Sequence, residues 1–486
     1  MVALGHINRW QPSNGPVTTW TASPAAREAA RNARRSDLPP SYQQTQHLWT
    51  AYEGKAMGQQ QPRMMVVAWD IPGVCDIPMM TAAITAHVRR HDTYHNWFEF
   101  ENDVIVRGTI DNPDVIDFVP VEFGHMSAEQ IRTHALTTTP ETLEWDCFTF
   151  GIVQHTDYFT FYTSVDHLHI DGMSAALIFL DINLMYQGLR QDVHQQQPTT
   201  LPPAGSYHDY TVRQREHVAS LTLSSAEITD WIEFARDTDG DWPRFPLPLG
   251  DTWATGKGDF VTVELLDAAE TESFDSACRA AGARFSGGVL ACAALAERQL
   301  TGTETYHGFT PYDTRTPGID TMTVGWFASL FPVTVPTGKG SFAEAARAAQ
   351  KSFDDAKHLA GVPMDRAMEL ATPDQLEVRP FARPAMMVSF LDFRKIPVAA
   401  LFEQTNFGTY GDNLSHGGIN MWINRQTDKT TVTISFPDNA KARKSVRRYI
   451  AVLAQTFARA FETTSDWVDA VADHANSGHG MPVVSL

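Results

Sequence analysis

The segment Asp166-His167-Leu168-His169-Ile170-Asp171-Gly172 gathers two imidazoles and two carboxylates within seven residues. His167 offers the clearest chemistry, because imidazole is the side chain best suited to take and return a proton near neutral pH. Moving an acyl group from a thioester to an alcohol needs such a base on the attacking hydroxyl. Asp171, four residues on and followed by Gly172, can fix the loop and the imidazole by hydrogen bonds, or pair with a neighbouring arginine. Its expected role is architectural.

The spacing alone is not decisive, since a histidine in an apolar stretch is commonly a satisfied core residue. The run also reads as His-x-His-x-Asp, and along an extended strand alternation would put His167, His169 and Asp171 on one face. That resembles the start of the zinc signature of metallo-β-lactamase-like hydrolases. Gly172 stands where that family has a further histidine, which removes a ligand of the second metal, and the other histidines lack paired ligand spacing. No metal is expected. Covalent and phosphate chemistry are poorly represented: there is no GxSxG elbow, and neither Gly256-Lys257-Gly258 nor Gly338-Lys339-Gly340 continues into a phosphate loop. Gly287-Gly288 reads as a helix start pressed against a neighbour.

The elements around the motif follow from periodicity. Residues 146–154 and 158–165 read as apolar strands, and 174–189 places Ala175, Ile178, Ile182 and Met185 at helical spacing, so the motif sits where a strand ends and a helix begins. Upstream, 63–70 reads as a buried strand and 80–90 as a helix closing on Arg89-Arg90-His91. Residues 1–40, rich in Pro, Ser and Asn, read as an extended lead-in, and the polar run 195–206 as a crossover between an N-terminal lobe, 41–194, and a C-terminal lobe, 207–486. The second half predicts a helix at 286–300, strands near 305–310, 328–335, 385–391 and 430–436, and a closing helix at 441–462. The fold class is mixed α/β in two lobes, with a cleft between them.

At 486 residues the chain is long enough for two cores, and its 43% hydrophobic content supplies them. A formal net charge of −19 repels polyphosphate, which argues against nucleic acid as a partner. The basic cluster Lys441, Arg443, Lys444, Arg447 and Arg448 reads as a solvated helix face. Four cysteines without a CxxC pair, and no secretory leader in the sequence, point to a reducing, cytoplasmic setting. The longest apolar stretch falls far short of the ~20 residues of a membrane span, which leaves a peripheral position at the inner membrane face open.

Several segments together resemble the condensation-domain superfamily, and within it the polyketide-associated (Pap) acyltransferases of mycobacteria. Ser41-Tyr42-Gln43-Gln44 with His47-Leu48-Trp49 is similar to its opening S-x-A-Q segment, and Arg90-His91-Asp92-Thr93-Tyr94 with Phe98 to R-H-x-x-L-R-T-x-F. The motif matches H-H-x-x-x-D-G with Asp166 in place of the first histidine. Val324 to Pro332 is similar to G-x-F-x-N-x-x-P, with Ser329 where asparagine is usual. Thr310-Pro311-Tyr312-Asp313-Thr314-Arg315, and the stretches around Gly205-Ser206-Tyr207, 245–250 and 436–439, resemble the trehalose-modifying Pap enzymes.

The resemblance implies two chloramphenicol-acetyltransferase-like lobes in a V with an interlobe channel, His167 and Asp171 as the catalytic pair, and Gly172, Arg315, Trp326 and Ser329 as substrate-binding. It implies no cofactor; the donor is an acyl-CoA or acyl carrier thioester and the acceptor a trehalose-type sugar, with a polyketide synthase or a lipid transporter at the membrane as further partners. Two alternatives stay open: a stand-alone condensation enzyme acting on another alcohol or an amine, and a non-catalytic docking module for a polyketide synthase.

Overall fold

The computed structural model describes residues 3–195, 201–252, 256–338, 340–372, 385–396, 398–415 and 417–461. The glutamine run after Gln195, and Lys339, lie outside them. Two large mixed sheets organise the chain. The first has seven strands in the order Ala3–His6, Gly408–Gly411, Met64–Pro72, Tyr158–Asp166, Phe148–Gln154, Gly15–Ala22 and Phe118–Met126. The second has six: Gly258–Asp267, Lys429–Pro437, Asn420–Arg425, Met387–Asp392, Thr305–Asp313 and Ala328–Pro336. A small third sheet joins Arg34–Ser36, Val104–Thr109 and Asn96–Glu101. Mixed α/β is the observed class.

Residues 1–40 are not a lead-in. Gly15–Ala22 is an interior strand of the first sheet, paired on both sides, and Trp20 on it is fully buried. Its prolines sit where a sheet tolerates them, Pro16 near the strand start and Pro24 in the first turn of the helix Pro24–Arg31. The lobes are also not contiguous in sequence: Gly408–Gly411 pairs antiparallel with Met64–Pro72 and parallel with Ala3–His6, inserting late chain into the early sheet.

The strands beside the motif are nearly continuous apolar runs, as burial on both faces requires. Tyr158–Asp166 pairs antiparallel with Met64–Pro72 in a register that sets Asp166 opposite Met64 and therefore beside Arg63. The chain leaves that strand through a 3-10 turn, His167–His169, and enters the helix Gly172–Gln195, which packs on the helix Ile77–Arg90 over the sheet. On the other sheet the helix Phe285–Thr301 begins as the glycine pair suggested, for a Cβ on Gly288 would lie 2.2 Å from the Cys278 sulfur. Lys441, Lys444, Arg447 and Arg448 face solvent on the helix Ala440–Arg459.

Candidate active site

The motif loop is held from three sides. From below, Asp166 is fully buried and accepts from His47 Nε2 (2.7 Å), Thr142 Oγ1 (2.7 Å), Arg63 Nη1 (3.0 Å) and the Leu168 amide (3.0 Å). Burial alone would raise its carboxyl, but His47, Arg63 and the Leu168 N–H outweigh it and hold it well below the ordinary carboxylate range. The position where the resembling family has a first histidine thus carries a buried, ionised carboxylate with its own partners.

From one side, the helix Tyr42–Ala56 braces the loop. Ser41 and Gln44 form a capping box at its start, and Gln44 Nε2 also donates to the Leu168 carbonyl at 3.1 Å. One turn on, at helical spacing, comes His47, and Leu48 packs with Leu168, Cys147 and Phe98 in a small apolar cluster.

From the third side, a segment of the second half crosses to the first. Arg315, almost fully buried, donates to both Asp171 oxygens at 2.9 and 3.0 Å. Asp171 also accepts the amides of Ser174 (2.8 Å), Phe327 (3.0 Å) and Ala328 (3.3 Å). Burial would raise the Asp171 carboxyl; Arg315 and these amides win and lower it. Ser174 Oγ donates to the Gly325 carbonyl at 2.8 Å. A side chain at 325 is excluded, since its Cβ would lie 2.3 Å from the Tyr207 ring. Asp171 therefore clasps residues 325–328 and presents Trp326 to the motif.

The Trp326 ring lies 3.9 Å from His167, centroid to centroid, and 5.6 Å from His47; the two imidazoles are 6.4 Å apart. His167 is half-buried, its backbone N–H donates to the Arg63 carbonyl at 2.7 Å, and its Nδ1 is buried without a partner. Its Nε2 takes no hydrogen bond from the described residues. Burial, with a further push from His47, lowers the imidazole to about 4, so it is neutral near pH 7, the form a base requires.

The sequence-predicted residues divide. His167, Asp171 and Trp326 come together. Gly172 opens the helix Gly172–Gln195, and a Cβ there would meet nothing within 4 Å, so it borders open space beside the base. Arg315, expected to bind substrate, instead has its guanidinium occupied by Asp171, Asp313 and Ser174. Ser329 is half-buried opposite Tyr312 on the strand Ala328–Pro336, two residues beyond Phe327. Arg315 aside, the trehalose-like stretches also have structural work: Tyr207 donates to the Trp326 carbonyl at 2.8 Å, and Asn439 caps the last helix while donating to the Leu249 carbonyl at 2.9 Å.

The His-x-His-x-Asp arrangement is overturned by the backbone. Because residues 167–169 form a 3-10 turn rather than an extended strand, the three side chains diverge. His169 is fully buried with Nδ1 at 3.1 Å from Thr93 Oγ1, and Asp171 faces Arg315. A different triplet, His87, His91 and Asp181, is close enough to share an ion, yet Asp181 already meets His91 Nε2 at 2.7 Å, His87 Nδ1 at 3.3 Å and Arg90 Nε at 3.2 Å. His91 Nδ1 accepts the Val324 amide at 3.3 Å, so these groups anchor the crossing segment, and one Asp181 oxygen is already shared by both imidazoles and a guanidinium.

Two sheets joined at a histidine loop, with late chain crossing to clasp it, is condensation-domain architecture. The Condensation domain family model matches residues 46–388, and the chain belongs to that family. Within it, the chain is 46% identical to the trehalose-2-sulfate acyltransferase PapA2 of Mycobacterium tuberculosis, covering 96% of this chain and 98% of that one. It is 44% identical to the acyltransferase PapA3 of the same species, over 95% and 97% of the two chains. The solved PapA2 acyl transferase superposes with a TM-score of 0.90 at 46% identity, covering 95% of this chain and all of that one. The condensation domain of the Monacolin K polyketide synthase MokA, at 15% identity and TM-score 0.64, shares the fold.

Proposed function

We propose that this chain is an O-acyltransferase that moves a fatty or polyketide acyl group from an acyl-CoA or acyl carrier thioester to a hydroxyl of trehalose or an acylated trehalose, in the making of envelope glycolipids. One observation carries the reading: His167 is held neutral on a clasped loop with Nε2 unengaged and open space at Gly172 beside it. Nε2 takes the proton of the acceptor hydroxyl as its oxygen attacks the thioester carbonyl. The tetrahedral intermediate collapses with loss of the thiolate, and the imidazolium returns the proton to that sulfur, leaving ester, thiol and neutral histidine. No cofactor enters these steps. Asp171 is a positioning residue, acting through the loop and Trp326.

The acceptor class rests on the likeness to relatives named for trehalose substrates. A local observation narrows it: Arg63 and Arg315, the arginines bonded to the motif, are both paired with carboxylates, which suits an uncharged disaccharide better than a sulfated one. The test is competition with one acyl-CoA among trehalose, trehalose-2-sulfate, glucose, glycerol and a long-chain diol. Trehalose or its monoester should be acylated preferentially; exclusive acylation of the diol refutes the assignment. In this reading the enzyme works in the cytoplasm or peripherally at the inner membrane face, with a polyketide synthase or a lipid transporter as a further partner.

A further inference from the structure

His47 belongs to none of the steps above, yet its imidazole stands 6.4 Å from that of His167 and 5.6 Å from Trp326. Its Nε2 lies 2.7 Å from Asp166 Oδ1. Because Asp166 is ionised, it accepts, so Nε2 carries the proton of this bond and Nδ1 is left out of it. Nδ1 takes no hydrogen bond from the described residues. The carboxylate is itself fixed by Arg63, Thr142 and the Leu168 amide, so the His47 ring is oriented by a buried frame. Two imidazoles thus share one tryptophan, each with at least one nitrogen unengaged by the described residues. Neighbouring hydroxyls of a sugar, each about 2.8 Å from its own imidazole, can span a gap of this size, whereas a simple alcohol can satisfy only one of the two.

From this we infer that His47, oriented by Asp166, is an acceptor-specificity residue: it binds the hydroxyl adjacent to the one His167 deprotonates, so the enzyme selects a vicinal diol. The inference rests on the sugar-acceptor reading and adds to it a residue and a substructure. It also explains why an aspartate precedes His167: a carboxylate there holds a second imidazole that arrives from the helix Tyr42–Ala56.

The test compares trehalose with two deoxy analogues once NMR of the product has located the acylated carbon, one lacking the adjacent hydroxyl and one lacking a hydroxyl on the other ring. For the wild-type enzyme, kcat/KM should fall about 10-fold on the adjacent-deoxy analogue, the loss of one hydrogen bond to an oriented partner, and little on the remote one. His47→Phe should lose a similar factor on trehalose and show no further loss on the adjacent-deoxy analogue. His47→Gln, which keeps a donor for Asp166 and hence the fold, should behave alike. A merely structural role would slow all three substrates equally, so retention of the wild-type ratio in a folded His47→Gln overturns the inference while leaving the trehalose assignment standing. A wild-type enzyme that acylates no trehalose overturns both.

Discussion

Replacing Asp171 by alanine should damage stability and turnover together, and the structure sets the size of the effect. The substitution strands the Arg315 guanidinium, with only 4% of its side chain exposed, and releases the amides of Ser174, Phe327 and Ala328. Asp313 remains as a partner at 3.0 Å but is itself half exposed and compensates only in part. Breaking a buried pair from one side costs about 3–5 kcal/mol, which corresponds to a fall of roughly 10 °C in Tm for a lobe of this size. Turnover falls as well, because the freed 325–328 segment no longer presents Trp326 to His167. Calorimetry on a double-mutant cycle isolates the pair: Asp171→Leu with Arg315→Met removes both charges and should be less destabilising than Asp171→Ala alone. If the losses in that cycle simply add, or Asp171→Ala melts like wild type, the clasp is not what holds the loop.

His167→Ala should lower kcat by about 100-fold or more with an unchanged melt, the usual contribution of a positioned base; near wild-type turnover in the folded variant would remove His167 from the mechanism. With its imidazole lowered to about 4, kcat/KM should stay level on acidification through 6.5 and fall only as pH approaches 4, where the base becomes protonated; a midpoint at 6.5 or above contradicts the buried site. The same sign governs stability. His91, His167 and His169 are all lowered to about 4 by burial, so the unfolded chain binds more protons below pH 6.5, and the stability of the fold should decline from there toward 4; urea midpoints that hold constant over that range would contradict it. Exhaustive chelation should leave activity intact, because His169 and Asp171 are committed to Thr93 and Arg315; zinc that tracks with activity would reverse this.

What the sequence made legible was what repeats locally. The strands at 146–154 and 158–165 and the helix after Gly172 follow from apolar periodicity, and they suffice to place His167 at a strand-to-helix junction. The strand Gly15–Ala22 was missed because Pro16 within it and Pro12 and Pro24 beside it mimic a loop, although Val17 and Trp20 mark its buried positions and its threonines favour a strand. Gly408–Gly411, four residues with a glycine at each end, is too short to read as a strand from its Thr409 and Tyr410 alone, and pairing on both sides fixes it. Asp171 was read as able to pair with an arginine and Arg315 as a ligand contact; only folding joins the two statements. Nothing in sequence connects residue 47 with residue 166. The available signal was chemical, since an acidic residue ending a buried strand must find donors.

The late insertion of Gly408–Gly411 between two early strands bears on how the molecule is made. As the ribosome extends the chain from the amino terminus, Met64–Pro72 can pair with Tyr158–Asp166, but its opposite margin has no neighbour until Gly408–Gly411 has emerged. Ala3–His6 waits longer still, since its partner is the same four residues. A nascent first half therefore carries an open sheet margin, the kind of surface that captures other chains or calls for a chaperone. Cutting the chain near residue 200 would not yield two self-sufficient halves, and expressing them separately should produce an aggregating amino-terminal fragment rather than a stable lobe.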